Sequence, residues 1–132
     1  MRIVVSGARS INNRDAVFCH MDMLLGVRED FPQVDVLISG GQKGVDRDVE
    51  AYAAANGLPF VLLKPYHLLD PQAEHKTRHY FIRNKQMIDN SDWVIAFSDG
   101  ADAGTEDLIN YARKRGKALT IIDRNQLEVV GG

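Results

Sequence analysis

A chain of 132 residues is long enough for one domain with a buried core and too short for two. Its 45% hydrophobic and 26% charged residues are those of an ordinary soluble globular protein, and a formal net charge of −2 gives no global attraction to nucleic acid or an anionic membrane. The one cysteine, Cys19, excludes an internal disulfide and a cysteine-cluster zinc site, and the apolar run after Met1-Arg2 is too short for a signal peptide or a membrane span, so a cytoplasmic protein is expected.

Ile3-Val4-Val5 predicts a short strand that is apolar on both faces, the pattern of a parallel strand covered by helices. A turn follows at Gly7-Ala8-Arg9. Asn12 or Asn13 then caps a helix whose apolar positions Val17, Met21, Leu24 and Leu25 share one face, and Phe31-Pro32 ends it. Residues 34–38 predict a second strand, and Val45, Val49, Tyr52 and Ala53 a second helix closed by Asn56-Gly57. Residues 58–63 predict a third, buried strand with Pro59 near its start, where a missing N–H is tolerated. The irregular stretch 64–76 carries two prolines and two histidines, and a loop of that length is expected to be functional. Residues 77–90 predict a helix with Tyr80, Asn84 and Met87 down one side. Residues 93–97 form a fourth strand, 98–103 a turn, 105–115 a helix ending at Gly116, and 118–122 a fifth strand. The expected domain is 1–122, with 123–132 as a C-terminal tail.

Strands alternating with helices five times over indicate an α/β fold built on a parallel sheet. Right-handed crossovers favour the strand order 3-2-1-4-5, with helices on both faces and a reversal between strands 1 and 4. Ligands bind beyond the carboxyl ends of strands at such a switch point. Three glycine-bearing turns fall at that edge: Gly7-Ala8-Arg9, Gly40-Gly41-Gln42-Lys43-Gly44 and the stretch from Gly100 to Thr105. Glycines between a strand and a helix let the backbone turn sharply and approach a ligand, and leave helix N–H groups free to meet an anion. The three turns are therefore expected to form one cleft. The spacing is neither the dinucleotide fingerprint G-x-G-x-x-G nor a P-loop, which disfavours a nicotinamide dehydrogenase or an ATPase, and no cofactor is implied.

The charged residues at this edge each have a plain role beside a functional one. Arg9, Lys43, Arg47 and Arg83 suit phosphate, with solvated surface charge as the alternative for Lys43 and Arg47. Arg83 and Asn84 flank an apolar helix face and need partners there. Asp46 either caps its helix or meets ribose hydroxyls, and Asp99 and Asp102 are also explained by turn formation. His75 and His79 lie four residues apart with no third ligand evident, so no metal site is expected.

Gly7-Ala8-Arg9, Gly40-Gly41-x-x-Gly44-x-Asp46, Arg83-Asn84-x-x-Met87 and Ala96-Phe97-x-x-Gly100-x-x-x-Gly104-Thr105 occur in that order. As a set they resemble the YspA-like branch of the SLOG superfamily, over residues 3–122. That superfamily takes its name from the Smf/DprA DNA-processing proteins and the "lonely guy" phosphoribohydrolases. The resemblance implies a single Rossmann-like domain that binds a nucleotide or an ADP-ribose-type ligand. In the phosphoribohydrolases an R-K-x-x-M helix and a P-G-G-x-G-T-x-x-E turn build the active site, which Arg83, Met87, Gly104 and Thr105 match here. The P-G-G is replaced by Ser98-Asp99-Gly100, the turn is longer, and Leu108 stands where the catalytic glutamate is expected. Glu106 and Asp107 lie near but are expected to point elsewhere on the helix.

Three functions are weighed. The first is binding or sensing of a nucleoside phosphate, ADP-ribose or NAD-related ligand through Gly7, Ala8, Arg9, Gly40, Gly41, Lys43, Gly44, Asp46, Arg83, Asn84, Asp99, Gly100, Gly104 and Thr105. The second is hydrolysis of an N-glycosidic bond, which needs a carboxylate near the anomeric carbon, from Asp46, Asp99 or Asp102, with Arg83 holding phosphate. The third is single-stranded DNA binding, disfavoured because no basic groove with interleaved aromatics is visible. A membrane partner is not expected, and the sequence is compatible with a homo-oligomer without fixing one.

Overall fold

In the computed structural model, which describes residues 1–26, 33–65 and 77–126, five parallel strands form one sheet. They are β1 (Arg2–Gly7), β2 (Val36–Ser39), β3 (Phe60–Leu62), β4 (Trp93–Ser98) and β5 (Ala118–Asp123), in the order β3-β2-β1-β4-β5. Among the described residues four helices connect them: α1 (Arg14–Leu25), α2 (Val45–Asn56), α3 (Thr77–Asp89) and α4 (Ala103–Lys114). This is the expected Rossmann-like α/β sheet. The stretch 64–76 lies almost wholly outside the described residues, as do Phe31-Pro32 and the last six residues.

β1 is central and pairs on both sides, with Val4 opposite Ile38 of β2 and Val94 of β4. Its alternating side chains feed two cores. Ile3 and Val5 pack with Leu37, Ile95 and Phe97 against Val17 and Met21 of α1 and Val45, Val49 and Tyr52 of α2. Val4 packs with Ile38, Val94 and Ala96 against Met87 and Ile88 of α3 and Leu108, Ile109 and Ala112 of α4. A continuous apolar run is what a strand covered on both faces requires. It also sets the geography of the site, since α1 and α2 lie on one face and α3 and α4 on the other.

The helix ends follow local chemistry. Asn13 caps α1 by accepting the Ala16 N–H at 3.1 Å, and Asp102 caps α4 by accepting the Thr105 N–H at 2.9 Å. Gly57 closes α2 in the left-handed conformation, φ 65°, with its N–H on the Ala53 and Ala54 carbonyls. One expectation needs correction: β3 is shorter than 58–63 and is not buried, because it is an edge strand and leaves Val61 and Leu62 exposed. Pro59 precedes it, and its carbonyl accepts the Leu37 N–H at 2.9 Å. At the other edge β5 runs one residue beyond the expected domain end, and Arg124 donates to the Ser10 carbonyl and hydroxyl. Among the described residues no helix is long and apolar enough to cross a membrane.

Candidate functional site

The strands end together at Gly7, Ser39, Leu62, Ser98 and Asp123, and the turns beyond them stand on one edge of the sheet. Between the β2–α2 turn, α3 and the start of α4 lies a cleft of two lobes. One, of about 310 Å³, is lined by Arg9, Gln42, Tyr80, Phe81, Asp102, Ala103 and Gly104. The other, of about 320 Å³, is lined by Arg9, Gly40, Gly41, Gln42, Lys43, Arg47, Pro65 and Tyr80. Arg9, Gln42 and Tyr80 form the boundary that both share. The Arg9 guanidinium lies 5.9 Å from the centre of the Tyr80 ring, and its Nε donates to Gln42 Oε1 at 3.5 Å.

Of the residues expected at the site, Arg9, Gly40, Gly41, Lys43 and Gly104 line this cleft, as does Arg47. Lys43 and Arg47 are exposed, and neither enters an ion pair or hydrogen bond with another described residue. Gly41 has φ +75°, a conformation that excludes most side chains, and an added Cβ would strike Leu62. At Gly44, φ is +83° and an added Cβ would come 2.8 Å from the Ile11 carbonyl oxygen, so this glycine serves the contact between two turns and not a ligand. Gly7 is similar, wedged between Val45 and Phe97. Ala8 is fully buried, its N–H donating to the Phe97 carbonyl at 3.0 Å.

Asp46 is the largest departure from expectation. It neither caps α2, whose N-cap is Gly44, nor opens to a ligand, since its exposure is 0%. Its carboxylate accepts the Ser6 hydroxyl at 3.0 Å and the Gln42 N–H at 3.2 Å, which ties the end of β1 to the β2–α2 turn from below. Burial pushes its pKa up, against the opposing pull of the Gln42 N–H, the Ser6 hydroxyl, the Arg83 charge and the Gly7 N–H.

Arg83 is also internal, with 3% exposure. Its Nη1 donates to the Gly40 carbonyl at 3.2 Å and its Nη2 to Asn84 Oδ1 at 3.4 Å, while the Tyr80 ring lies 5.4 Å from the guanidinium carbon. An added Cβ on Gly40 would run into this guanidinium, which explains that glycine without a ligand. Burial lowers the Arg83 pKa, and the Asp46 charge opposes the shift. Asn84 Nδ2 donates to the Gly104 carbonyl at 3.1 Å and to Asp107 Oδ2 at 3.2 Å. The adjacent pair Arg83-Asn84 therefore braces the β2–α2 turn against the first turn of α4, and Arg83 lines neither lobe.

The 98–102 turn is held by its own acids. Asp99 accepts the Ser10 hydroxyl at 2.6 Å and the N–H groups of Ala101 and Asp102, each at 2.8 Å, and these bonds, that of Ser10 above all, push its pKa down to about 2. Gly100, φ +80°, has open space around it. Thr105 is buried and donates its hydroxyl to Asp102 Oδ1. Glu106 accepts the Ser98 hydroxyl at 2.9 Å, and Leu108 lies in the core at 1% exposure. Glu106 and Asp107 thus point to different partners, Ser98 and Asn84, and neither lines the cleft. Gln42, Tyr80, Phe81 and Ala103 line the cleft although sequence reasoning did not single them out as binding residues. Tyr80 is three residues before Arg83 on one helix, a spacing that places both on one face and marks it as a neighbour.

A sequence profile of the YspA, cpYpsA-related SLOG family matches residues 1–67. No curated protein sequence matches the chain. Among solved structures, the fold is similar to the X-ray structure of DNA processing protein A (DprA) from Streptococcus pneumoniae, with a TM-score of 0.71 and 17% sequence identity over 91% of this chain. The chain spans about half the length of that protein, 49% of which is covered, and at this identity the likeness concerns the fold alone. With the profile matched over half its length, and with the sheet order and glycine turns described above, the chain belongs to the YspA, cpYpsA-related SLOG family.

Proposed function

We propose that this protein binds a nucleotide-derived ligand, a nucleoside phosphate or an ADP-ribose or NAD-related molecule, in the two-lobed cleft at the carboxyl edge of the sheet. The observation that carries this reading is the juxtaposition of three cations, Arg9, Lys43 and Arg47, with the Tyr80 and Phe81 rings and the N-terminus of α4 around one concavity. Cations and helix N–H groups suit phosphate, aromatic faces suit a base, and concave sites with a few convergent polar groups are where small ligands bind.

Hydrolysis of an N-glycosidic bond draws less support. Asp46 is fully buried, Asp99 and Asp102 are engaged in turn and cap hydrogen bonds, and Leu108 replaces the glutamate with a core side chain. The similarity in fold to a protein named for DNA processing makes single-stranded DNA the competing ligand. The test is a thermal-shift panel of nucleotides, NAD, ADP-ribose and a single-stranded oligonucleotide, with product analysis of each hit. A ligand at a hundred times its Kd stabilises by about 2.7 kcal/mol. A shift with the oligonucleotide alone, or with nothing, would refute the reading.

A further inference from the structure

The two lobes differ in charge. Among the described residues, the lobe under the β2–α2 turn is lined by Arg9, Lys43 and Arg47 and by no carboxylate. Among the described residues, the lobe at α4 has Arg9 as its one lining cation and Asp102 as a lining carboxylate. A helix N-terminus ordinarily attracts anions, but this one is already served by acids of its own chain. Asp102 Oδ1 takes the Thr105 N–H and hydroxyl, Asp99 takes the N–H groups of Ala101 and Asp102, and Glu106 stands in the first turn with Asp107 directly after it. A phosphate carrying about −1.5 to −2 charge would meet like charge there. What this lobe does offer is neutral recognition. The Ala103 and Gly104 N–H groups and Asp102 Oδ2 have no partner among the described residues, and the Tyr80 and Phe81 rings stand beside them. Donors beside a carboxylate oxygen and an aromatic face fit sugar hydroxyls and a planar ring.

Resting on the reading that the cleft binds a nucleotide-derived molecule, we infer that the ligand lies with its phosphate in the Lys43–Arg47 lobe and its uncharged nucleoside part against the start of α4. The α4 turn, glycine-rich as it is, is then the nucleoside subsite and not the phosphate cradle. Arg9, on the boundary, lies between the two parts.

Calorimetric titration of AMP and adenosine against the wild-type protein, Lys43→Ala/Arg47→Ala and Asp102→Asn tests this, with each variant first shown to melt cooperatively. The wild-type protein is expected to prefer AMP by roughly tenfold or more, the yield of a single charge-assisted contact. The double variant should lose most of that preference while keeping its adenosine affinity. Asp102→Asn should weaken both ligands alike and leave their ratio unchanged. Selective tightening of AMP by Asp102→Asn would place the phosphate at α4 and overturn the inference, as would an undiminished AMP preference in the double variant. Equal wild-type affinity for AMP and adenosine, or no binding of AMP, also overturns it. In those cases the proposed function stands if another nucleotide-derived ligand binds, and falls with the inference if none does.

Discussion

Replacing Arg83 by Met removes a buried charge while keeping most of the volume, and its consequences follow from the arrangement around Asp46. The substitution deletes a charge-assisted hydrogen bond to the Gly40 carbonyl, worth about 1.5–3 kcal/mol, and leaves the Asp46 carboxylate buried without its nearby cation. Removing one member of a buried charge arrangement costs about 3–5 kcal/mol where the contact is direct. Here the two charges act across the Gly40–Gln42 turn, so about 3 kcal/mol is the expected loss, or roughly 10 °C in Tm for a domain of this size.

The loss is also pH-dependent, and its sign is fixed by Asp46. The native pKa of Asp46 is raised, so its contribution to stability is complete below the unfolded value and is lost as pH rises through the native one. Without Arg83 the native pKa rises further, and the cost of keeping Asp46 ionised grows. The destabilisation caused by Arg83→Met is therefore expected to be largest near neutral pH and to shrink as the solution is acidified and Asp46 takes a proton. Urea unfolding of the wild-type protein, Arg83→Met, Asp46→Asn and the double variant, at neutral and mildly acidic pH, measures both effects. The double variant should be more stable than the sum of the single losses by about 1 kcal/mol or more at neutral pH. Additivity within about 0.5 kcal/mol at both pH values would mean the two charges do not sense each other, and the account of the buried tie would fail.

Other outcomes follow from the same geometry. Gly44→Ala should cost about 3 kcal/mol or more, because its Cβ meets the Ile11 backbone oxygen, whereas Gly57→Ala, with open space around it, should cost about 1 kcal/mol; chemical denaturation separates them. Gly41→Val is expected to fold with a loss of about 1–3 kcal/mol, since the half-exposed Leu62 side chain can move aside, and to lose nucleotide binding in a thermal-shift titration. Asp99→Asn should remove an acid-sensitive component of stability. The lowered pKa means Asp99 supports the fold above its unfolded value and ceases to as pH falls towards about 2, so the Tm gap between wild-type protein and variant should close over that range. Leu108→Glu, which restores a glutamate at the position the phosphoribohydrolases use, should destabilise by about 3–5 kcal/mol by burying an unpaired charge and confer no hydrolysis, as melting and product assays would report.

Elements and their order were legible because each apolar run was bounded by glycine, proline or a capping residue. Asn13, Gly57 and Gly116 lie where such punctuation predicts. The three turns were legible for the same reason. Side-chain direction was not. Asp46 stands in the first turn of α2, and whether it caps, faces solvent or turns inward depends on Ser6, which is 40 residues away in sequence. Arg83 looked like a ligand residue because its motif does, yet the packing of α3 places it beneath Gly40. Tyr80 has the spacing of a core residue, yet it is only partly buried, joins neither core and borders both lobes. β3 looked buried because its residues are apolar, and only its edge position explains their exposure.

The most direct test of the central claim is a titration of the isotope-labelled protein with AMP, following backbone amide shifts. The account predicts saturable changes concentrated at Arg9, Gln42, Lys43, Ala103 and Gly104, the residues that surround the two lobes. Changes confined to the opposite edge, around Arg113, Arg115 and Lys117, or the absence of any saturable change at millimolar AMP, would contradict it.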